Sequence, residues 1–159
     1  MTPPPPEQDA LAYLAITRLQ AAYADVVTRR AWPEVFALFT PDAPVLVDTV
    51  TAPVIEIIGP EALGTFIGKA IERFEFFEFV ILNTVVTIDE PSSARGRLYM
   101  VELRQDAATG HWSNAFGVYH DDYRRGGDGR WRFAERQYQS LARTGRGDVF
   151  PFPQQMQGP

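Results

Sequence analysis

Apolar residues recur every three or four positions in the first half of the chain and nearly every second position in the second half. Leu11, Leu14, Ala15, Leu19, Ala22, Tyr23 and Val26 predict an amphipathic helix over residues 9–30. A short second helix follows. Pro33 suits its first turn, Val35, Phe36 and Phe39 give it an apolar side, and Thr40-Pro41-Asp42 ends it. Residues 45–50 and 54–58 are β-branched runs around Thr51-Ala52-Pro53, which predicts a hairpin. Gly59-Pro60-Glu61 opens a third helix whose stripe is Leu63, Phe66, Ile67, Ala70, Ile71 and Phe74.

Four longer strand-like runs complete the chain: 77–89, 94–105, 112–125 and 130–141, each ending in turn-forming residues. Turns at this spacing favour consecutive antiparallel pairing. The order α-α-β-β-α-β-β-β-β predicts an α+β fold. Three helices pack on a curved, mostly antiparallel, six-stranded mixed sheet that encloses a cavity. The expected organisation is a disordered tail over 1–8, one domain over 9–143, and a tail over 144–159 packed on the domain through Phe150-Pro151-Phe152.

Composition narrows the function more than the fold. The 159 residues are 45% hydrophobic and carry a net charge of −5 without a basic block, so nucleic acid is not an expected partner. Cysteine is absent, and His111 and His120 are the only imidazoles, which argues against a metal site; no cofactor is expected. Apolar runs are too short to span a membrane and the N-terminus lacks signal-peptide features, so a cytoplasmic protein without a membrane partner is expected. Arg146-Gly147-Asp148 is read as a chance tripeptide.

Several motifs occur in a telling order: Leu19-Gln-Ala-Ala-Tyr23, Arg29-Arg-Ala-Trp32, Leu38-Phe-Thr-Pro-Asp-Ala43, Gly59-Pro-Glu-Ala-Leu63, Asn83 with Val85, Gly117-Val-Tyr-His-Asp121, and Trp131-Arg-Phe-Ala-Glu-Arg136. In this the chain resembles the SnoaL-like branch of the nuclear transport factor 2 (NTF2)-like superfamily over residues 10–142. The resemblance implies a cone-shaped α+β domain, a homodimer through the outer sheet face, and a small hydrophobic organic ligand. The implied chemistry is cofactor-free and of the dehydration, isomerisation, cyclisation or epoxide-opening type. A non-catalytic binding or assembly protein of the same fold is the alternative. The dehydratase and dehydrochlorinase members resemble one another in an Asp–His pair. Its positions carry over to Thr28 and Phe79, neither of which is a general base near neutral pH.

Candidates for the polar lining remain. Glu102 is the expected base if Leu98 and Met100 share its face. With the opposite register it is solvated. Arg136, where the resemblance places a pocket arginine, binds or stabilises an anion, pairs with an internal carboxylate such as Glu102, or lies at a dimer surface. Tyr23 orients or protonates a substrate oxygen, or is a core tyrosine. Thr28, Trp32, Phe79, Asn83, Met100, Asn114, Tyr119 and Tyr138 are expected ligand-binding positions, with backbone bonding the plainer reading of Asn83 and Asn114 and core packing that of Tyr119 and Tyr138. His120 and Asp121 are sequence neighbours and point to opposite faces of a strand.

Overall fold

A computed structural model describes residues 6–153. Helix α1 (Pro6–Arg29) is followed by a 3-10 turn (Trp32–Ala37), strands β1 (Pro44–Asp48) and β2 (Ile55–Ile58), and helix α2 (Pro60–Ile71). Then come β3 (Phe74–Glu90), β4 (Ser93–Asp106), β5 (Trp112–Arg125), β6 (Trp131–Arg143) and the two-residue β7 (Asp148–Val149). The sheet order is β2-β1-β6-β5-β4-β3, with β7 added beside β6. Strands β3 to β6 form an antiparallel meander, and β1 joins β6 in parallel. The sheet curves around α1 without closing.

The element order follows the hydrophobic pattern, but several edges differ. Helix α1 starts at Pro6, so the expected tail shortens by three residues; residues 1–5 lie outside the described region. Its buried stripe is Ala12, Ile16, Leu19, Gln20, Tyr23, Val26 and Val27, while Leu11 and Leu14 face outward. In the 3-10 turn, three residues per turn align Trp32, Val35 and Leu38, so Phe36 is exposed rather than part of an apolar side. Phe74 opens β3 instead of closing the helix stripe. The two-residue β7 adds a seventh strand to the expected six. Of the C-terminal residues, Phe152 packs its ring on Tyr99 of the outer sheet face; 154–159 are outside the described region.

The sheet is straight at its centre and kinked toward its sides. Pairing of β4 with β5 runs without interruption from Ser93↔Arg124 to Gln105↔Trp112. Strand β6 carries two extra residues, Ala134 and Leu141, where its register with β5 shifts. Strand β3 carries three, at Glu75, Leu82 and Asp89. Each extra residue reverses which side chains face inward. On β6, Phe133 faces the core, the Ala134 bulge brings in Arg136, Tyr138 and Ser140, and the Leu141 bulge brings in Arg143.

Beneath α1 the inner face holds a buried ion pair. Arg136 and Asp121 are opposite each other on β6 and β5, and both are fully buried. Arg136 Nε and Nη2 donate to the two Asp121 oxygens at 2.7 and 2.9 Å. Tyr123 Oη donates to Asp121 Oδ2 at 3.0 Å and accepts from Gln20 Nε2 of α1 at 2.8 Å. The guanidinium lies over the rings of Tyr119, Phe133 and Tyr23 at 3.9, 4.2 and 4.3 Å. Its third nitrogen, Nη1, has no hydrogen-bond partner, and these π faces are its compensation. Burial opposes the arginine's charge, but Asp121 more than restores it, so Arg136 stays protonated.

Removing one member of such a pair leaves an uncompensated buried charge, whereas removing both does not. Asp121→Ala is expected to cost about 3–5 kcal/mol. Urea denaturation measures it, and the Asp121→Leu/Arg136→Met double variant should recover most of the loss.

Candidate functional site

Between α2 and the mouth of the curved sheet lies a cavity of about 210 Å³. Helix α2 contributes Leu63, Phe66, Ile67, Ala70 and Ile71, and β3 contributes Phe77 and Phe79. Val27 and Tyr23 close it from α1, and Val45, Val47 and Thr49 from the first hairpin. The remaining lining is where the charge lies: Glu102 and Arg104 on β4, Ala115 and Tyr119 on β5, and Tyr138, Ser140 and Arg143 on β6. Phe79, Glu102, Ala115 and Arg143 form one row across four strands.

This wall follows from local sequence. Gly59, at φ +83°, caps α2 where a Cβ would meet the Pro41 carbonyl oxygen at 2.8 Å, so the helix can start hard against the preceding loop. Gly64 and Gly68 on the same helix leave room for the Trp32 side chain. Gly117 does the equivalent for Tyr138: a Cβ there would lie 2.1 Å from the Tyr138 ring. That ring can therefore lie flat over β5, 5.0 Å from the Tyr119 ring.

Glu102 is the one acid among the described residues that line the cavity. Its ion pair with Arg104 Nη1 is long, 3.4 Å, and the two side chains are 23% and 17% exposed. Burial pushes the Glu102 carboxyl up from its ordinary value, and the Arg104 charge pulls it part of the way back. Burial likewise lowers Arg104, and Glu102 restores part of that. Tyr138 is pushed up to about 12 by burial and then by the Glu102 charge. Burial also raises Tyr23 and Tyr119. All three phenols therefore remain neutral hydrogen-bond donors near neutral pH, and Glu102 alone among them is placed to accept a proton.

Glu102, Phe79, Tyr23, Tyr119 and Tyr138 come together on the cavity wall. Arg136 does not join them. It lies below the Tyr23 and Tyr119 rings, and its carboxylate partner is Asp121, so no Arg136–Glu102 pair forms. Thr28 lies behind the wall, where its Oγ1 accepts from the Phe79 backbone N–H at 3.0 Å. The two positions of the Asp–His pair thus adjoin in space. Trp32 packs on Gly64 and Gly68, and Met100 is fully buried in the core.

Two expected lining residues face away. Asn83 would share a face with Phe79 on an unbroken strand, but the bulge at Leu82 reverses the parity and exposes it. Asn114 sits on the other face from Ala115, and its backbone bonds to Thr144. Arg104, Ser140, Arg143 and Thr49 line the cavity without being singled out by the sequence. Period-two steps from Glu102 and Tyr138 would have reached Arg104 and Ser140; no such step reaches Arg143 across the Leu141 bulge.

Residues 8–137 match the family model described as the SnoaL-like domain, and the chain belongs to that family. None of the curated proteins matches it. Among solved structures it is similar to a candidate scytalone dehydratase from Novosphingobium aromaticivorans DSM 12444, with 18% identity, TM-score 0.76, and 92% of this chain and 93% of that one covered. It is also similar to the hexachlorocyclohexane dehydrochlorinase LinA-type3 from Novosphingobium barchaimii LL02, with 19% identity, TM-score 0.75, and 92% and 98% covered. An NTF2-like protein with a cystatin-like fold from Novosphingobium aromaticivorans has 19% identity, TM-score 0.68, and 81% of each chain covered. The fold is therefore NTF2-like.

Gly117→Ala is expected to displace the Tyr138 ring into the cavity and to cost about 1–3 kcal/mol, the range for overpacking. A double-mutant cycle with Tyr138→Ala, read by urea denaturation, should show the Gly117→Ala cost shrinking once the ring is gone.

Proposed function

We propose that this protein binds a small, largely hydrophobic organic molecule in the cavity and moves a proton on it without a cofactor. The dehydration, isomerisation, cyclisation or epoxide-opening class fits such a site. Glu102 is the proton acceptor, and the neutral phenols of Tyr138 and Tyr119 hydrogen-bond the substrate oxygen on which charge develops. The observation that carries this reading is Glu102 itself: a single part-buried carboxylate facing an otherwise largely apolar cavity, its pKa raised by burial. With Thr28 and Phe79 in the Asp–His positions, the reaction runs without that dyad. The relatives that carry dehydratase and dehydrochlorinase names support the general class.

A non-catalytic carrier of the same fold is the second reading, favoured by the Arg104 contact that partly neutralises Glu102. The two readings separate on turnover of a bound compound.

Because the Glu102 pKa is raised, its base form is lost at a higher pH than for an exposed glutamate. The acidic limb of kcat/KM is therefore expected above about 4.3, the ordinary glutamate value. Glu102→Gln should abolish that limb and lower kcat by about 10²- to 10⁴-fold, the usual contribution of a general base. A pH–rate profile of both proteins on a compound found by ligand screening checks this. An unchanged profile in Glu102→Gln would remove the base assignment. In a separate test of the cavity itself, Ile67→Trp should fill the space and abolish binding, measured by calorimetry, while the protein still melts cooperatively.

A further inference from the structure

The charged end of the cavity has a chemistry of its own. Arg104 is largely buried, and its guanidinium stacks over the Phe74 ring at 5.1 Å. Its Nε is buried without any hydrogen-bond partner. Its contact to Glu102 Oε2 is a single weak one at 3.4 Å. A guanidinium has five N–H donors, and a buried one left unmet is costly. Arg143, the second cation on this wall, is better held. Its Nη2 donates to the Thr49 carbonyl and Thr51 Oγ1, both at 3.1 Å, while its Nε lies 3.4 Å from Asp148 Oδ2 without a hydrogen bond. The polar end thus has two arginines, each with a buried Nε that no hydrogen bond reaches, and one part-buried carboxyl; of the two arginines Arg104 has the fewer partners. The rest of the wall is apolar: Leu63, Phe66, Ile67, Phe77 and Val47.

We infer that the ligand is an organic acid whose carboxylate docks on Arg104, with its apolar body packed between α2 and β3. The inference rests on the cavity being the binding site and adds the class of molecule. The planar fork of Arg104 suits a carboxylate, which takes up the donors that Glu102 leaves unmet. Arg104 and Glu102 are two residues apart on one face of β4, and their charged ends lie 3.4 Å apart. A molecule clamped by its carboxylate on Arg104 therefore presents a carbon one or two bonds away to Glu102. That places the reacting C–H close to the Glu102 carboxylate.

Two probes with one apolar body separate the possibilities: 2-naphthoate and its neutral isostere 2-naphthamide, titrated by calorimetry. The wild-type protein should bind the acid about ten- to a hundredfold tighter than the amide, the value of one or two charge-assisted hydrogen bonds. Arg104→Gln should erase that ratio, and Arg104→Lys should retain part of it. If Arg104→Gln does not fold, the wild-type ratio and Arg104→Lys decide. Equal affinity for the two probes, or a preference that survives in Arg104→Gln, overturns the carboxylate assignment and leaves the apolar cavity reading standing. Failure of the wild type to bind either probe overturns the cavity reading for molecules of this size, and this inference with it.

Discussion

The structure depends on one buried contact, the two-pronged pair between Arg136 and Asp121. An ion pair taken out of water gains little net stability, because desolvation cancels most of the attraction. Its consequence is geometric. Both partners must face inward together, and that requirement fixes the register of β6 on β5. Tyr23, Tyr119 and Phe133 are then held against the guanidinium by their π faces, and α1 is tied to the same cluster through Gln20 and Tyr123. The cavity floor is thus a charged, rigid layer covered by aromatic rings. Sliding β6 by one residue would turn Arg136, Tyr138 and Ser140 out of the interior at once.

This explains which parts of the molecule were legible in the sequence. Helix and strand order came through because periods of 3.6 and 2 are local properties of each segment. Glu102 could be placed by alternation because β4 and β5 pair without a break. Asn83 could not, since the extra residue at Leu82 reverses every side chain beyond it. Arg136 carried a sound physical argument, that a buried arginine needs a carboxylate. The sequence leaves that carboxylate open, with Glu102 as one candidate, whereas Asp121 lies directly across β5. Bulges have no strong local signature: Ala134 and Leu141 look like any strand residues.

The two ion pairs of the inner face also divide the work. Asp121 and Arg136 are close, doubly bonded and sealed from solvent, so neither is available to a ligand. Glu102 and Arg104 touch once, at the longer distance, on a wall that opens to the cavity. The first pair is saturated and acts as structure. The second has capacity left over, and chemistry needs such capacity in both charges.

The Thr28–Phe79 contact bears on the same point. Where an Asp–His pair would put two titrating groups, this chain has a threonine hydroxyl accepting the Phe79 backbone N–H, with the phenylalanine ring toward the cavity. That side of the hollow is thereby made apolar, and the Tyr23 and Tyr119 rings pack against Phe79 at 5.5 and 6.0 Å. Moving the polar groups to β4 and β6 leaves one greasy wall and one charged wall facing each other across a small space. A purely hydrophobic molecule would leave the charged wall dry and under-satisfied, and a purely polar one would gain nothing from the phenylalanines. The ligand proposed above, apolar along most of its length and anionic at one end, would satisfy both walls at once.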